Sequence, residues 1–524
     1  MDVMDQQQNQ PKLKSLLQWK YLAMLLLVSL FLWDIGNILA PRQGTESLYV
    51  QISKEMYEKQ SFVTPIYRGE AHWSKPPLQY WLPMPLYYLS GGFSLAAARS
   101  SMAIMSIFSL SLLLFFLSRL GEKLDFTKSA MIFLASFGVL KFSRIFMMEI
   151  PLALMPLVGS VGFYYYLQTK KTRYLLLSSL FIGLGGLVKG PVSLAMGFAS
   201  IGLFGLVQHV YFEKNHLKSI LNLVGLSLLI SSIWYFICLK QYGTEFINYF
   251  FLRENLGKFG QESSMSPLKI VQGLFIYTFP WFHLVRFGPK TINSRVKDPL
   301  FCYLLIHFFI FFIIWFIPSQ KSHHYAMPSF AFWITLILIN PQSMTRNKIS
   351  RFLFWIQVGA LLLLSSLFLY FSNTLIELAL ALTPIVVLLF SIKMKQSTYG
   401  IAISFVALFT TIIVRFFLPL VPSDRIEKLM TDPARNIYYN DRRPFFLEQR
   451  LNRKVKLYGP GKPIRGDLIM GTQARLNLIA EQNLKNVGVW DKWKRKVTKK
   501  EVYLALIKRD LSYLKSSYHL LQVK

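Results

Sequence analysis

The sequence predicts an α-helical, polytopic membrane protein that ends in a small α/β domain, and three observations carry that prediction. Of 524 residues, 53% are hydrophobic, and the mean hydropathy is +0.38. The apolar residues are gathered into runs too long for the core helices of a soluble domain. After residue 422 the chain turns polar and basic and has no run that could span.

The runs lie at 21–39, 101–117, 130–139, 151–167, 174–187, 192–207 and 220–239, then at 271–285, 300–317, 326–339, 352–371, 374–392 and 401–418. A crossing takes about 20 mostly apolar residues. Flanking amphipathic residues complete the shorter runs, which gives about thirteen spans within a membrane domain of 21–420. The first run follows a tail of 1–20. It is too long for a signal-peptide core, is interrupted by Asp34 and has no clear small-residue cleavage pattern, so it reads as an uncleaved anchor. Cys238 and Cys302 both fall inside predicted spans, which argues against a disulfide framework.

The formal net charge of +32 would suggest nucleic acid in a soluble chain. Here the charges follow membrane topology instead, and no nucleic-acid partner is expected. With Lys12, Lys14 and Lys20 in the cytoplasm, alternate loops hold Lys123 and Lys128, Lys170, Lys171 and Arg173, Lys214 and Lys218, Arg286 and Lys290, Arg346 and Lys348, and Lys393 and Lys395. Every loop assigned to the inside is basic, as the positive-inside rule requires. The N-terminus is therefore expected in the cytoplasm of a bacterial inner membrane. An odd number of spans puts residues 421–524 in the periplasm.

The other loops differ. They carry Glu46 and Lys75, Arg144 and Glu149, Lys189, Arg253, Glu254 and Lys258, and Lys321, His323 and His324 at span ends. Ionisable groups there are costly unless they pair or line a wet cavity, so their convergence on one face marks a candidate site. Each alone reads equally as a snorkelling side chain. The long first outer loop, 41–92, contains an amphipathic stretch at 51–59 and an interfacial Tyr/Trp/Pro-rich stretch at 78–89. A second outer loop, 241–267, sets aromatic residues before its charges. In the tail, 436–439, 454–458, 467–471 and 486–490 read as strands, and 444–451 and 474–482 as helices.

The chemistry these residues offer is displacement at an anomeric carbon with a lipid phosphate leaving. Lys75, Lys189, Arg253, Lys258 and Lys321 are candidate cations for the developing phosphate charge. Glu46 is the first candidate for general base on an acceptor hydroxyl, with Glu149 able to share the role or to pair with Arg144. His324 is a candidate hydrogen-bonding partner of sugar or phosphate, while His323 faces elsewhere. His209, His216, His283 and His307 read as structural. No zinc spacing, Walker loop, dinucleotide fingerprint or serine-hydrolase elbow is present.

Several stretches occur in an order that resembles a known family. They are Thr45-Glu46-Ser47-Leu48-Tyr49, Met56, then His72-Trp73-Ser74-Lys75-Pro76-Pro77-Leu78-Gln79-Tyr80-Trp81. Arg144 to Glu149, Leu187-Val188-Lys189-Gly190, Phe251 to Phe259 and Lys321-Ser322-His323-His324-Tyr325-Ala326-Met327-Pro328 follow. Together these resemble the polyprenyl-phosphate-sugar glycosyltransferases of the GT-C superfamily, of the protein O-mannosyltransferase and aminoarabinose–lipid A transferase type. The resemblance covers roughly the first 330 residues. It implies a GT-C fold and an inverting transfer of one sugar from an undecaprenyl-type phosphate to a lipid A-like, polysaccharide or protein acceptor. It also implies that Tyr49 and Tyr325 join the donor site. The chain departs from the pattern at Thr45 and Ser74, where acids are usual, at Leu48, where Arg is usual, and at Glu149, where Asp is usual. Asn255 and Lys258 stand where His and Arg are usual. Some family members bind a divalent metal through the lost acid and that histidine, so the departures put metal dependence in doubt and no cofactor is assigned. A lipid-linked-sugar flippase and a catalytically decayed scaffold are the alternatives. The sugar, the acceptor and the oligomeric state are not encoded in any motif.

Overall fold

The computed structural model describes residues 10–36, 45–208, 214–255, 266–285, 295, 297–319, 321–339, 348–372, 374–416, 421–440, 444–459, 462–479, 483–494 and 497–524. Each of the thirteen apolar runs is mainly helical over its described part, with turns inside or at the end of several, as at Ala135–Ser136 and Phe279–Trp281. The order begins with α1 (Gln10–Leu32) and α2 (Thr45–Glu58), a hairpin of β1 (Ile66–Tyr67) and β2 (Glu70–Ala71), and two short helices, α3 (Leu78–Trp81) and α4 (Met84–Leu89). Then come α5 (Leu95–Arg119), α6 (Phe126–Leu134), α7 (Phe137–Ser143), α8 (Glu149–Thr169), α9 (Thr172–Lys189), α10 (Pro191–Val207), α11 (Lys214–Phe246) and α12 (Leu268–Thr278). The membrane part closes with α13 (Pro299–Ile313), α14 (Met327–Leu338), α15 (Lys348–Phe371), α16 (Leu375–Lys393) and α17 (Ser397–Phe416).

Among the described residues, six helices are long and apolar enough to cross a membrane by themselves, or seven if α6 and α7, bent by 68°, form one span. Others, such as Pro191–Val207 and Leu268–Thr278, are shorter, and two of the six long helices change geometry near one end. Helix α11 kinks at Gly243, whose φ of 55° favours a residue without Cβ, and passes into a π-helical segment, Ile247–Asn255. Helix α13 tightens into a 3₁₀ turn, Ile314–Phe316, before Pro318. These breaks fall beside the cavity described below.

The core is a continuous apolar cluster from α1 to α17. Within it α8 packs along α9, and α9 along α11. Tyr235 of α11 donates to the Gly186 carbonyl of α9 at 3.0 Å, which fixes that contact.

The tail folds as α18 (Asp424–Thr431), β3 (Ile437–Tyr439), α19 (Phe445–Arg450), β4 (Lys456–Leu457), β5 (Leu468–Thr472), α20 (Gln473–Leu476), β6 (Leu484–Trp493), α21 (Lys499–Ile507) and β7 (Lys515–Val523). The sheet order is β4-β3-β5-β7-β6. β3 runs parallel to β4 and β5, while β7 runs antiparallel to β5 and β6. The four expected strands are present. The sequence reading lacked β7, which pairs with β5 from 43 residues onward in the chain (Thr472 to Lys515) and so gives no local signal.

This domain sits on the long loop region between α1 and α5. Tyr67 donates to the Glu448 carboxylate at 2.8 Å, and the Arg68 guanidinium donates to the Glu448 carbonyl. The other carboxylate oxygen of Glu448 accepts from the Val455 amide at 2.9 Å. Glu448 is buried, so these bonds replace lost hydration.

Candidate active site

A cavity of about 340 Å³ opens where α2, the loop after β2, the start of α8, the α9–α10 junction, the π-helical segment and the 314–325 stretch meet. Its polar wall contains Thr45, Tyr49, Lys75, Glu149, Lys189, Glu254, His324 and Tyr325. Met147, Met148, Val192, Ile314, Trp315, Ile317 and Pro318 supply the apolar wall. A greasy pocket with a few convergent polar groups is the usual form of a ligand site.

Each polar group is placed by a local device. Lys75 follows Trp73, whose ring packs on Tyr242 at 4.8 Å and edge-on against Phe246 and Tyr249. His72 adds a 3.4 Å contact from Nδ1 to the Tyr249 hydroxyl. The early loop is thereby joined to α11 and its π-helical extension, and Lys75 Nζ comes within 3.8 Å of Glu254 Oε2. Lys75 also donates to the Ser74 carbonyl at 2.6 Å.

Lys189 occupies the last turn of α9, where the helix dipole favours a cation. Gly190, with φ 97°, reverses the chain, and Pro191 starts α10. The Lys189 ammonium lies 4.0 Å from the Trp315 ring centre and 4.4 Å from that of Tyr325. Two aromatic faces thus hold it at the cavity wall.

Glu149 is the first residue of α8, where the dipole favours an anion, and is 3% exposed. His324 Nε2 lies 3.9 Å from Glu149 Oε1, and His324 Nδ1 lies 2.8 Å from the Ser322 hydroxyl. Gly273 lets α12 press on this stretch: a Cβ there would clash with the His323 carbonyl oxygen. His323 itself turns to Gln272 at 3.2 Å, facing away as expected from the sequence. Burial, and Glu149 nearby, raise the Tyr325 phenol above its ordinary value, so it is a hydrogen-bond donor rather than a base at neutral pH.

The two candidate acids have different surroundings. Thr45 and Tyr49 lie one helical turn apart on the face of α2 that lines the cavity. Glu46, one residue on, points about 100° away and does not line it. Its carboxylate is fully buried, bound by Arg99 Nε at 2.8 Å and a second Arg99 nitrogen at 3.2 Å, and accepts the Phe146 amide at 2.9 Å. Glu46 thus ties α2 to α5 and to the turn that delivers Met147, Met148 and Glu149. Arg144, offered by the sequence as a partner for Glu149, donates to the carbonyls of Phe31 and Trp33.

The remaining candidates lie apart from the cavity lining. Lys321 is buried at 8% exposure, and Arg253 is exposed with its guanidinium 5.1 Å from the Tyr249 ring centre. Lys258 lies outside the described residues. Three contributors escaped the sequence reading as site residues. Glu254 was visible only as a loop charge. Trp315 was signalled by an aromatic residue at a span end before Pro318. Arg99 was signalled by a lone cation opening an apolar helix, which demands a partner.

Among the described residues no group of three or more His, Cys, Asp or Glu side chains comes together, and a serine, Ser74, precedes Lys75.

A family model for dolichyl-phosphate-mannose-protein mannosyltransferase matches residues 21–249. An uncharacterised protein of Aquifex aeolicus is 24% identical over 457 residues, 83% of this chain and 88% of that one. The undecaprenyl phosphate-α-4-amino-4-deoxy-L-arabinose arabinosyl transferase of Serratia proteamaculans is 23% identical over 306 residues, 55% of this chain and 53% of the relative. The chain thus spans about half the length of the named transferases it matches. The crystal structure of the transferase ArnT from Cupriavidus metallidurans, bound to undecaprenyl phosphate, superposes with a TM-score of 0.70 at 15% identity, over 96% of this chain and 98% of that one. The fold is therefore the same, and these comparisons bear out the resemblance to GT-C glycosyltransferases of the aminoarabinose and O-mannosyl type.

Proposed function

We propose that this chain is an integral-membrane glycosyltransferase that moves one sugar from an undecaprenyl-type phosphate to a lipid A-like, polysaccharide or protein acceptor, with inversion, on the outer face of the inner membrane. One observation carries the reading: Lys75, Lys189, the Tyr325 phenol and Glu149 line one cavity, whose early-loop wall belongs to the region on which the tail domain docks.

The acceptor oxygen attacks the anomeric carbon as the bond from that carbon to the phosphate oxygen breaks. The leaving polyprenyl phosphate gains negative charge, which Lys75 and Lys189 stabilise and the Tyr325 phenol hydrogen-bonds. Glu254 keeps Lys75 aimed into the cavity until the phosphate arrives. If the acceptor is a hydroxyl, Glu149 takes its proton; if it is a phosphate, no base is needed and Glu149 orients it. Glu46 acts through position, by fixing the turn that carries Glu149. Arg253, exposed on the π-helical segment, extends the cationic approach to the site.

Mass spectrometry of lipid A from a strain lacking the protein tests the acceptor. Loss of one sugar mass, restored by the wild-type chain and not by Lys75→Ala, is expected. Unchanged lipid A, together with polyprenyl-phosphate release by the purified enzyme on a polysaccharide or protein, moves the acceptor to those classes. No release on any of them overturns the transferase reading. Orientation is tested by cysteines at Ser74, Ser322 and Thr172. The first two should react with an impermeant thiol reagent from the outer side and the third should not.

A further inference from the structure

Helix α21, Lys499–Ile507, lies between the two long strands at one edge of the tail sheet. It starts with a capping box in which Thr498 and Glu501 bond each other's main-chain amides, so it is an independently well-formed helix. Only Ala505 is buried on it. Val502, Tyr503, Leu506 and Ile507 are exposed, Tyr503 at 62% and Ile507 at 60%. Apolar side chains at these spacings give a helix an uncovered greasy face. Lys499 and Lys500 stand at one end of that face, and Lys508 and Arg509 at the other.

Two hydrogen bonds set the depth of this helix. The Tyr370 hydroxyl, at the end of membrane helix α15, donates to the Leu506 carbonyl at 2.9 Å. Arg509 donates to the Ser372 carbonyl, one residue beyond α15, at 2.8 Å, and its guanidinium lies 5.5 Å from the Tyr370 ring centre. The end of a spanning helix lies at the headgroup level. Beyond the α15–α16 turn, Leu375 and Ile376 are 85% and 69% exposed, so the greasy face continues onto the lipid-facing surface of the bundle. The whole tail, 421–524, holds 23 Lys and Arg against 10 Asp and Glu. A long translocated domain is not oriented by its charge, so topology does not explain that excess.

We infer that α21 is an interfacial anchor: its Val502, Tyr503, Leu506 and Ile507 enter the boundary of an anionic phospholipid leaflet while the flanking lysines and Arg509 bind headgroup phosphates. Amphipathic helices with basic flanks bind membranes in this way, by buried apolar area together with attraction to anionic lipid. The anchor and the Glu448 contacts together fix the tail domain over the first outer loop from two sides. The inference needs only the membrane reading of α15, not the sugar-transfer chemistry.

The test uses the full-length chain reconstituted in phosphatidylcholine vesicles with and without phosphatidylglycerol. An environment-sensitive fluorophore is attached at Ile507→Cys, at Tyr503→Cys and, on the opposite sheet edge, at Lys456→Cys; the native Cys238 and Cys302 are buried. Lipids carrying a nitroxide just below the headgroup should quench the 503 and 507 probes at least about twofold more than the 456 probe. Phosphatidylglycerol should increase that quenching, and Lys499→Glu combined with Lys500→Glu should remove the increase. A blue-shifted probe that lipid nitroxides do not quench places a second copy or another protein on the face and overturns the inference. Equal quenching at all three sites also overturns it. Quenching without any effect of phosphatidylglycerol overturns the headgroup assignment.

Discussion

Two buried carboxylates, Glu46 and Glu149, show how the same residue type can do opposite work. Around Glu46 the surroundings are dry and complete: Arg99 binds both carboxylate oxygens and the Phe146 amide adds a third bond. Around Glu149 the surroundings open onto a cavity shared with Lys75, Lys189, His324 and Tyr325. A carboxylate clamped by a bidentate guanidinium is a fastener, because abstracting a proton would require it to leave its partner. A carboxylate at a cavity wall and a helix N-terminus borders the space a substrate would enter. The setting of Glu46 follows from one residue of helical rotation in α2, which turns Thr45 and Tyr49 toward the cavity and Glu46 away.

The contrast can be broken most severely at Glu149. Glu149→Gln should lower turnover by about 10²–10⁴-fold with a hydroxyl acceptor while leaving the folded yield unchanged. Comparable turnover in this variant, measured on purified enzyme, returns the base role to another group. Lys75→Ala should cost about 10²–10³-fold by removing a cation from the leaving phosphate. The same variant assayed for binding of polyprenyl phosphate should show weakened binding, and an unaltered affinity would remove Lys75 from the phosphate. On the other side of the comparison, Glu46→Ala should act on stability. It leaves Arg99 buried without its carboxylate, at a cost of about 3–5 kcal/mol. The expected readout is a lower folded yield in detergent and a lower unfolding temperature, and replacing Arg99 by Leu in the same chain should restore part of both. The smallest effect belongs to the Lys189 cage. Trp315→Leu removes one aromatic face, and a cation–π contact is worth about 0.5–2 kcal/mol. A loss of about 2- to 30-fold in catalytic efficiency is expected, with no change in folding.

Much of this was legible in the sequence because it is encoded locally. Apolar runs announce membrane helices by composition, and Lys75, Lys189, His324 and Tyr325 sit in short ordered motifs at span ends. The rest depends on pairings between distant segments. That Glu46 meets Arg99 requires α2 to lie against α5, 53 residues away, and nothing in either stretch states the partner. That Lys75 meets Glu254 depends on the Trp73 ring packing against α11. The motif itself misleads at 45 and 46: it retains the second acidic position and replaces the first with Thr45, and only the helix rotation shows that the replaced position is the one facing the cavity. The tail strand β7 was missed for the same reason, since its pairing with β5 is set by tertiary contact rather than by a turn.

The most direct measurement is turnover per folded molecule for Glu46→Gln and Glu149→Gln, side by side, on purified enzyme with a proven hydroxyl acceptor. The geometry predicts that Glu46→Gln lowers yield and thermal stability but keeps turnover within about tenfold of wild type, while Glu149→Gln folds normally and loses about 10²–10⁴-fold. A Glu46→Gln enzyme that folds fully and loses turnover, beside an active Glu149→Gln, would contradict the account.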